Sequence, residues 1–449
     1  MVYVLILIFA ITGGLSAFYI FLILKNLSQR SGALKLQSIN KIDAPNILLL
    51  VPVLNEAKVI KGSLEYFSKF KYPNNKLKII FITSARESEP AANSANTIMI
   101  INKILPKINK LRGRNILEHS HFESTAGIKS DQLNYAVKKY WNENPEFFSR
   151  NTYVGVYDVD SMSPLDACMT LAKDAMLNKF PNIYQQPTLY FKNYSRLPFS
   201  LDGILARSFS FIQTIYAVTH ETLNLMRQSE IIKKYPFIFH KSRYCVGHGL
   251  FIKWPYLKKI NFFPSPIEDT RLGHMASCLR EDIRILPVFD TAEAAEGTTN
   301  KIKQASNWFL GLAMCFKDMN TAARIHGTPK FYGYWLTLHR LYRNIIWMLR
   351  GPLFAGLIIY LLWQGLFSSA LLVTLLFLWI PAAVLIMNFK YIDKLSAGKF
   401  YKFSMTDILA VILMPAELFL MSVGPIYGLF KYIFWSIKPS VKFFYKTVR

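Results

Sequence analysis

The sequence predicts an α/β doubly wound domain flanked by membrane-spanning apolar segments at both ends of the chain. Strand-like and helix-like apolar patterns alternate through the middle of the 449 residues, and long uncharged runs occupy the ends. Only 18% of the residues are charged and 52% are hydrophobic, whereas average soluble domains carry roughly 25% charged residues. This composition excludes a disordered, collagen-like or disulfide-stapled chain.

The chain is strongly basic, with 53 Lys and Arg against 28 Asp and Glu, a formal net charge of +25. Such a charge is typical either of nucleic-acid binding or of a membrane protein that faces anionic lipid and an anionic substrate. The apolar excess favours the membrane protein. Because many basic residues border the apolar segments, we expect membrane lipid as a partner and no nucleic acid.

Residues 1–25 are predicted to form an uncleaved transmembrane anchor. Val2 to Leu24 carries no charge, and its 23 residues would span about 35 Å as a helix. Basic residues follow with no acid before Asp43. The positive-inside rule therefore places the N-terminus outside and the next segment in the cytoplasm.

The C-terminal third is predicted to contain further membrane-associated segments. An amphipathic helix at the membrane interface is expected at 330–351, with an ordinary surface helix as the alternative. About three membrane segments are expected in 352–437, with a turn near 363–365, followed by a basic tail at 438–449. Three simple passes would leave this tail outside, whereas its charge favours the cytoplasm. We therefore expect the last segment, near 408–430, to be broken or re-entrant at its prolines.

The middle segment, 44–329, is predicted to be the catalytic domain, which we expect in the cytoplasm. Strands are predicted at 46–54 and 77–83, each followed by a helix, at 57–70 and 97–111. This alternation is typical of parallel strands joined by right-handed crossovers, whose ligands bind beyond the carboxyl ends of the strands. The side chains expected to line that crevice are Asn55, Glu56, Thr83 and Glu87.

Two aspartates follow a third predicted strand, at 153–157. Asp158 and Asp160 alternate along the chain, so we expect both carboxylates on one face at the carboxyl end of the strand. Hard oxygen donors of this kind bind Mg²⁺ or Mn²⁺ against a diphosphate. The sequence therefore predicts a divalent-metal site at Asp158 and Asp160.

A second acidic pair, Glu268 and Asp269, opens a predicted helix. Acids in a first helical turn also arise from the helix dipole alone. In the functional interpretation, this pair supplies a carboxylate general base beside the metal site.

These segments resemble the family 2 glycosyltransferases, particularly membrane-integrated inverting members related to polysaccharide synthases and ceramide glucosyltransferase. The resemblance covers about residues 45–310. It implies a GT-A, Rossmann-like catalytic fold, a nucleotide-sugar donor, expected to be UDP-linked, and a membrane location. It also implies that Asp160 is the direct metal ligand, that Asp158 supports the nucleotide and that Asp269 is the base.

Other matching positions imply further site residues. The segment 51–56 resembles the nucleotide-binding entry, 127–134 the Gly-Lys…Leu-Asn segment, and 304–308 the Gln-x-x-Arg-Trp motif. The donor-binding residues implied are Pro52, Asn55, Glu56, Lys129, Asn134, Asp158, Gln304 and Trp308. The expected acceptor pocket comprises Gln186, His248 and Gly249, although His248 is equally well interpreted as structural.

The sequence departs from the family pattern in two places. The acidic pair that usually holds the base is missing after the second strand, where Thr83 and Glu87 are the candidate substitutes. Asn307 replaces the arginine of the Gln-x-x-Arg-Trp motif, and the candidates to compensate for that charge are Arg271, Lys301 and Lys303.

The leading hypothesis is an inverting glycosyltransferase that moves a sugar to a membrane lipid, a lipid-linked saccharide or a growing polysaccharide. One alternative is a processive polysaccharide synthase subunit, although about four membrane segments form a channel only with difficulty. A second, non-enzymatic alternative is a catalytically silent scaffold of a glycan-export complex. Glycoside hydrolysis also uses two carboxylates, but it does not require a metal pair beside a nucleotide fold.

Overall fold

The computed structural model describes residues 2–38, 43–87, 95–234, 240–327 and 329–437. The strands are β1 Ile47–Pro52, β2 Leu77–Ser84, β3 Leu117–Phe122, β4 Tyr153–Val156, β5 Ile183–Gln185, β6 Thr188–Leu189, β7 Leu250–Lys253, β8 Ile283–Ile285 and β9 Asp290–Thr291. The helices before β7 are α1 Val2–Leu36, α2 Ile60–Phe67, α3 Thr97–Arg112, α4 Lys129–Glu143, α5 Ala167–Leu177, α6 Leu201–Tyr216 and α7 Leu223–Lys234. The helices after β7 are α8 Trp254–Lys259, α9 Glu268–Cys278, α10 Thr298–Ala313, α11 Cys315–His326, α12 Lys330–Trp363, α13 Phe367–Thr374, α14 Ile380–Met387, α15 Phe389–Leu395, α16 Met405–Ile412 and α17 Met414–Ile437.

The central sheet is built on β1, whose two neighbours run parallel to it. The strand order is β3-β2-β1-β4-β7-β5-β8, and β6 pairs with β9 in a separate two-stranded sheet. Leu48 and Leu50 of β1 join one apolar core, and Leu49 and Val51 join a second. Because alternate side chains point to opposite faces, helices cover both faces of this strand. The predicted strands β1, β2 and β4 and the helices that follow β1 and β2 are confirmed, with shorter bounds for β1, α2 and β4.

One strand corrects the expectation of parallel strands throughout the sheet. β7 runs antiparallel to both β4 and β5, and Val156 pairs with Leu250. The four residues of β7 are too few for an apolar period to reveal its direction. Because it is antiparallel, its start lies at the carboxyl end of β4, which brings the preceding turn, 247–249, to the edge where ligands bind.

Among the described residues, four helices are long and apolar enough to cross a membrane. They are Val2–Leu36, Lys330–Trp363, Phe367–Met387 and Met414–Phe434. The predicted turn between two passes is confirmed, since α12 ends at Trp363, Gly365 has φ +72°, and α13 begins at Phe367. Gly365 fits this turn because a residue without Cβ adopts positive φ at little cost.

Two helix boundaries differ from the sequence-based ones. The anchor helix does not end near residue 25 but continues to Leu36, and its Arg30 bonds Asp174 of α5 at 3.4 Å. No break separates 330–351 from 352–363, since α12 is continuous through Pro352. A helix tolerates such a proline when packing compensates for the lost hydrogen bond. The tail 438–449 lies outside the described residues.

The last apolar segment has one break, which precedes both of its prolines, and α17 continues through Pro425 instead of breaking there as expected. α16 ends at Ile412 and α17 begins at Met414. α17 packs along α10, where a Cβ at Gly424 would lie 2.4 Å from Ala305 Cβ and one at Gly428 2.8 Å from the Ser306 carbonyl oxygen. The two glycines therefore allow a close approach between a candidate span and a helix of the middle segment.

Candidate active site

A cleft of about 280 Å³ opens at the carboxyl ends of β1, β2 and β4. Pocket volumes near 300 Å³ and above are typical of small-molecule sites. Its walls also include the first turns of α4 and α9 and one side of α10. The lining residues are Pro52, Val53, Leu54, Glu56, Arg86, Ile128, Lys129, Ser130, Gln132, Asp158, Val159, Asp160, Ile267, Glu268, Asp269, Gln304, Asn307 and Trp308.

Asp158 and Asp160 lie in the turn that follows β4. The Asp158 backbone N–H donates to Ser161 Oγ at 3.2 Å, and the Ser161 N–H donates to the Asp158 carbonyl at 3.0 Å. Lys192 Nζ donates to the Asp160 carbonyl at 2.7 Å. These bonds fix the backbone of the turn and hold both carboxylates at the cleft wall.

Glu268 and Asp269 form the first turn of α9 on the opposite wall. The preceding residue, Ile267, has φ 57°, a conformation that a β-branched residue rarely adopts. Gly311 of α10 allows this arrangement, because a Cβ there would lie 2.7 Å from Ile267 Cγ2. Backbone strain of this kind is concentrated at functional sites.

Lys129, the first residue of α4, bridges the two walls. Its ammonium contacts Asp158 Oδ1 at 2.9 Å and Glu268 Oε1 at 3.3 Å, and it donates to the Gly247 carbonyl at 2.8 Å. Burial lowers its pKa, but the charges of Asp158, Glu268 and Asp269 outweigh burial and raise the pKa above its ordinary value. Lys129 is therefore a permanent cation within the cleft.

The carboxyl group of Asp269 has a strongly altered acidity. Burial and then the neighbouring Glu268 carboxylate raise the pKa of Asp269 to about 7. Lys129 opposes this shift, as does the Thr270 backbone N–H, which donates to Asp269 Oδ1 at 2.7 Å. A pKa near neutrality suits a group that accepts and releases a proton during turnover.

Gly247 allows the lysine and the base to come together. A Cβ at this position would lie 2.8 Å from Asp269 Oδ2 and 3.0 Å from Lys129 Nζ. Any side chain there would displace one of these two groups. Gly247 lies at the cleft because β7, which follows it, runs antiparallel to β4.

The oxygen donors of the cleft fit a divalent cation only with help from a ligand. Asp158 and Asp160 are hard donors, but no group of three or more His, Cys, Asp or Glu placed to hold a metal ion occurs among the described residues. Mg²⁺ is often held by one or two carboxylates together with substrate phosphates and water. The donor set therefore fits a metal ion that arrives with a phosphorylated ligand.

Nine of the predicted site residues line the cleft together. They are Pro52, Glu56, Lys129, Asp158, Asp160, Glu268, Asp269, Gln304 and Trp308. Gln304 is only 8% exposed, and its Oε1 has no hydrogen-bond partner in the described part of the chain. A buried acceptor without a partner at a cleft wall is suited to a ligand hydroxyl.

The predicted base-binding residues lie outside the cleft lining. The Thr83 hydroxyl is bonded to His119 Nε2 at 2.8 Å and to His121 Nδ1 at 2.9 Å. The Glu87 carboxylate accepts from the Asn55 backbone N–H at 2.8 Å and also bonds Thr97 at the start of α3. These side chains fasten β2 to β3 and to the loop after β1.

Four further predicted residues contact other parts of the protein and also lie outside the cleft lining. They are Asn134, Gln186, Gly249 and His248. Asn134 exchanges hydrogen bonds with the backbone of Phe263, at 2.9 Å each. Gln186 accepts from the Tyr157 hydroxyl at 2.6 Å. Gly249 has φ 64°, and a Cβ there would lie 2.8 Å from Gln186 Cβ.

His248 is buried on the far side of this turn, where its Nδ1 bonds Asp290 Oδ2 at 2.7 Å. Burial lowers the pKa of His248, but the hydrogen bond and charge of Asp290 outweigh burial and raise it. This contact is the structural role that the sequence left open for His248.

Sequence reasoning did not assign several lining residues. Arg86 lies beyond β2 and donates to the Gly127 carbonyl at 2.9 Å. Its position directly after a strand end is the signal that points to it. Ser130 and Gln132 follow Lys129 in the first turn of α4.

Lys431 of α17 reaches the position where the motif arginine is replaced. Its ammonium lies 3.5 Å from Asn307 Oδ1 and 3.2 Å from Ser306 Oγ. Of the three cations expected to compensate there, Arg271 pairs with Asp318 at 2.7 Å and Lys301 with Glu417 at 2.6 Å, while Lys303 is exposed. No local pattern in the sequence signals Lys431, because its partner lies 124 residues away.

The sequence matches no known protein-family model and no curated protein. It resembles the solved structure of mannosyltransferase PcManGT from Pyrobaculum calidifontis in complex with GDP-Man and Mn²⁺. This likeness has 15% identity and a TM-score of 0.44, and it covers 84% of this chain and 98% of that chain. S. aureus TarS 1–349 in complex with UDP-GlcNAc matches at 15% identity and a TM-score of 0.40, covering 77% of this chain and 89% of that chain. With TM-scores below 0.5, these likenesses establish neither the fold family nor the activity.

Proposed function

We propose that the chain is a membrane-bound inverting glycosyltransferase with a GT-A catalytic domain on the cytoplasmic side. It moves a sugar from a nucleotide-diphospho-sugar to a hydroxyl of a membrane lipid, a lipid-linked saccharide or a growing polysaccharide. One observation carries the proposal: a single cleft holds the aspartates that follow β4 opposite the Glu268–Asp269 pair of α9, with Lys129 between them.

The donor diphosphate binds where the cleft is most cationic. Lys129 and Arg86 supply positive charge there, and the first turn of α4 supplies backbone N–H groups suited to phosphate oxygens. Mg²⁺ or Mn²⁺, held by Asp158 and Asp160, would offset the negative charge of the departing nucleoside diphosphate. We expect a UDP-linked donor, with its nucleoside near Pro52 and Glu56.

The acceptor hydroxyl is activated by Asp269. With a pKa of about 7, this carboxyl group is partly ionised at neutral pH and accepts the hydroxyl proton. The resulting oxygen attacks the anomeric carbon from the face opposite the leaving group, which inverts the configuration. Glu268 acts through its neighbours: it raises the pKa of Asp269 and contacts Lys129 at 3.3 Å.

The sugar lies against α10 in this proposal. Trp308 offers an apolar face and Gln304 Oε1 an acceptor for a sugar hydroxyl. Thr83, Glu87, Asn55 and Asn134 support the cleft walls through the contacts described above, and they do not touch the donor.

The proposal is tested by incubating the detergent-purified full chain with Mn²⁺ and a panel of nucleotide sugars. Release of nucleoside diphosphate is measured with and without a membrane-lipid extract as acceptor. We expect release from one donor, stimulated by the extract. No release from any donor would overturn the proposal and favour the scaffold alternative.

A further inference from the structure

Three arginines of α12 form a cluster away from the cleft. Arg340, Arg343 and Arg350 are spaced by three and seven residues, which places them on neighbouring positions of one side of the helix. Arg340 is only 2% exposed, while Arg343 and Arg350 are half-buried. We call these residues the arginine cluster.

The cluster is not neutralised by carboxylates. Arg340 and Arg343 lie over the Tyr244 ring at 4.8 and 5.8 Å, and Arg343 donates to the Tyr216 hydroxyl at 2.9 Å. Within the described residues none of the three arginines forms a salt bridge. Glu221 accepts from the Tyr244 hydroxyl at 2.7 Å, and Asp318 is close enough to Arg340 to interact with its charge. Neither carboxylate forms a salt bridge with the cluster.

Several hydrogen-bond donors of this side of α12 are buried without partners. In the described part of the chain, Arg340 Nε and Nη2, Asn344 Nδ2 and Arg350 Nε have none. A buried donor without an acceptor is costly, more so when it is charged. Of these residues, Arg350 also lines a cavity, and a ligand that satisfies its Nε must offer an acceptor and is favoured by negative charge.

A cavity of about 40 Å³ adjoins the cluster. Of the cluster, Arg350 lines it. The other lining residues are the polar Thr12, Ser16, Tyr216, Thr219 and His220 and the apolar Ile212, Ile215, Phe377, Leu378, Met414 and Leu418. One water requires roughly 10–15 Å³ by this measure, so the cavity has room for a phosphate group. Burial and the positive charges of Arg350, Arg343 and Lys241 lower the pKa of His220 to about 3, so this histidine adds a neutral polar ring.

Arg350 marks the end of the charged part of α12. Arg350 is the last charged residue before an uncharged run, Gly351 to Phe389. On other sides of the same helix, Ile345 and Leu349 are exposed, as expected for side chains that face lipid. Basic residues at such a boundary attract anionic lipid phosphates.

We propose that the cavity beside Arg350, with the charge of Arg343 acting on it, binds the phosphate group of an anionic membrane lipid. A phosphomonoester lipid fits best, because its phosphate has acceptor oxygens on every side and no attached cation. The inference is independent of the proposed sugar transfer, since it rests on groups that do not line the cleft.

Native mass spectrometry of the detergent-purified full chain tests the site by titration with phosphatidic acid, phosphatidylcholine or inorganic phosphate. We expect phosphatidic acid to bind at least tenfold more tightly than phosphatidylcholine. Arg350→Gln and Arg343→Gln should each weaken phosphatidic acid binding roughly tenfold or more, since each removes a charged donor. Ser16→Leu should weaken it as well, because it fills the cavity without removing a charge.

Arg324→Gln is the matched control, since Arg324 is an exposed arginine of α11 outside the cluster, and it should bind as the unaltered chain does. Size-exclusion profiles and melting curves identify variants that fail to fold. If an arginine variant fails to fold, Ser16→Leu still tests the site. Equal binding by the unaltered chain and by folded variants would overturn the site. Competition by millimolar inorganic phosphate as effective as the lipid would overturn the assignment to a lipid.

Discussion

Asp269 lies in an environment unlike that of an ordinary surface carboxylate. Burial and Glu268 raise its pKa to about 7. A general base works as the carboxylate, so raising the pH through the pKa increases the active fraction. We predict that kcat/KM for sugar transfer rises with pH to a plateau above about 7, measured by nucleoside diphosphate release. A profile that is flat from pH 5 to 8 would contradict the assignment of the base.

The two charged neighbours of Asp269 should move this pH profile in opposite directions. Glu268→Gln removes a negative charge, so the pKa of Asp269 falls and the acid limb shifts to lower pH. Lys129→Met removes a positive charge and shifts the limb to higher pH, in addition to weakening donor binding. Glu65→Gln, at an exposed position of α2, is the control and should leave the limb in place. Shifts in the same direction would rule out the electrostatic account.

Variants of Thr83 test whether this residue supports the fold or contacts the donor. Its buried hydroxyl joins two histidines of β3, so Thr83→Val should destabilise the chain by about 1–3 kcal/mol. KM for the donor should stay unchanged. Thr83→Ser retains the hydroxyl and should preserve stability in thermal unfolding. A raised KM with an unchanged melting temperature would instead assign Thr83 to the nucleotide.

The structure brings together predicted site residues that lie at a strand end or a helix start. Asp158, Asp160 and Asp269 have such positions and line one cleft, while their roles stay predictions. Lys431 had no local signal, because long-range packing places it. Thr83 lies at a strand end, as predicted. The sequence did not reveal that its hydroxyl bonds two histidines, because these histidines belong to the neighbouring strand β3.

At the scale of secondary-structure elements, the interface between α10 and α17 contains a buried ion pair. Lys301 and Glu417 are 4% and 1% exposed and 2.6 Å apart. Lys301→Met should destabilise the chain by about 3–5 kcal/mol, since it leaves a buried charge uncompensated, and Lys301→Met combined with Glu417→Leu should recover much of the loss.

Thermal unfolding of the purified variants measures this effect. Lys78→Met is the control, since its pair with Glu118 is more exposed, at 21% and 34%, and should cost about 1 kcal/mol or less. A double variant less stable than Lys301→Met would refute the ion-pair account.

Strands β1 and β2 were predictable because both of their faces are buried, which produces continuous apolar runs. β5, β7 and β8 have three or four residues each and leave no such signature. The direction of β7 also depends on the strands with which it pairs, β4 and β5. The pattern of apolar residues does not specify that direction.

At the scale of the whole molecule, the uncharged segments at the two ends of the chain and the basic residues that border them are both typical of membrane-spanning proteins. The four candidate spans coincide with the apolar excess that the composition revealed. We predict that the chain stays in the membrane pellet after washing with alkaline carbonate, which strips peripheral proteins. Quantitative release to the supernatant would contradict membrane integration.

The order of segments along the chain could be predicted from the sequence, but their contacts could not. Hydropathy identifies α1, α12 and α17 as apolar, and charge orients their borders. The continuity of α12 through Pro352 and the packing of α17 on α10 depend on tertiary contacts. Since α17 is covered on one side by a helix of the middle segment, hydropathy alone does not describe its surroundings.

The most direct test of the central claim compares sugar transfer by the unaltered chain, Asp269→Asn and Glu65→Gln with the donor identified in the panel. The variants are purified in detergent, checked for equal melting temperatures and measured at pH 8 with Mn²⁺. We predict that Asp269→Asn lowers kcat by roughly 10²–10⁴-fold, while Glu65→Gln keeps the full rate. An unchanged kcat in folded Asp269→Asn would contradict the proposed mechanism.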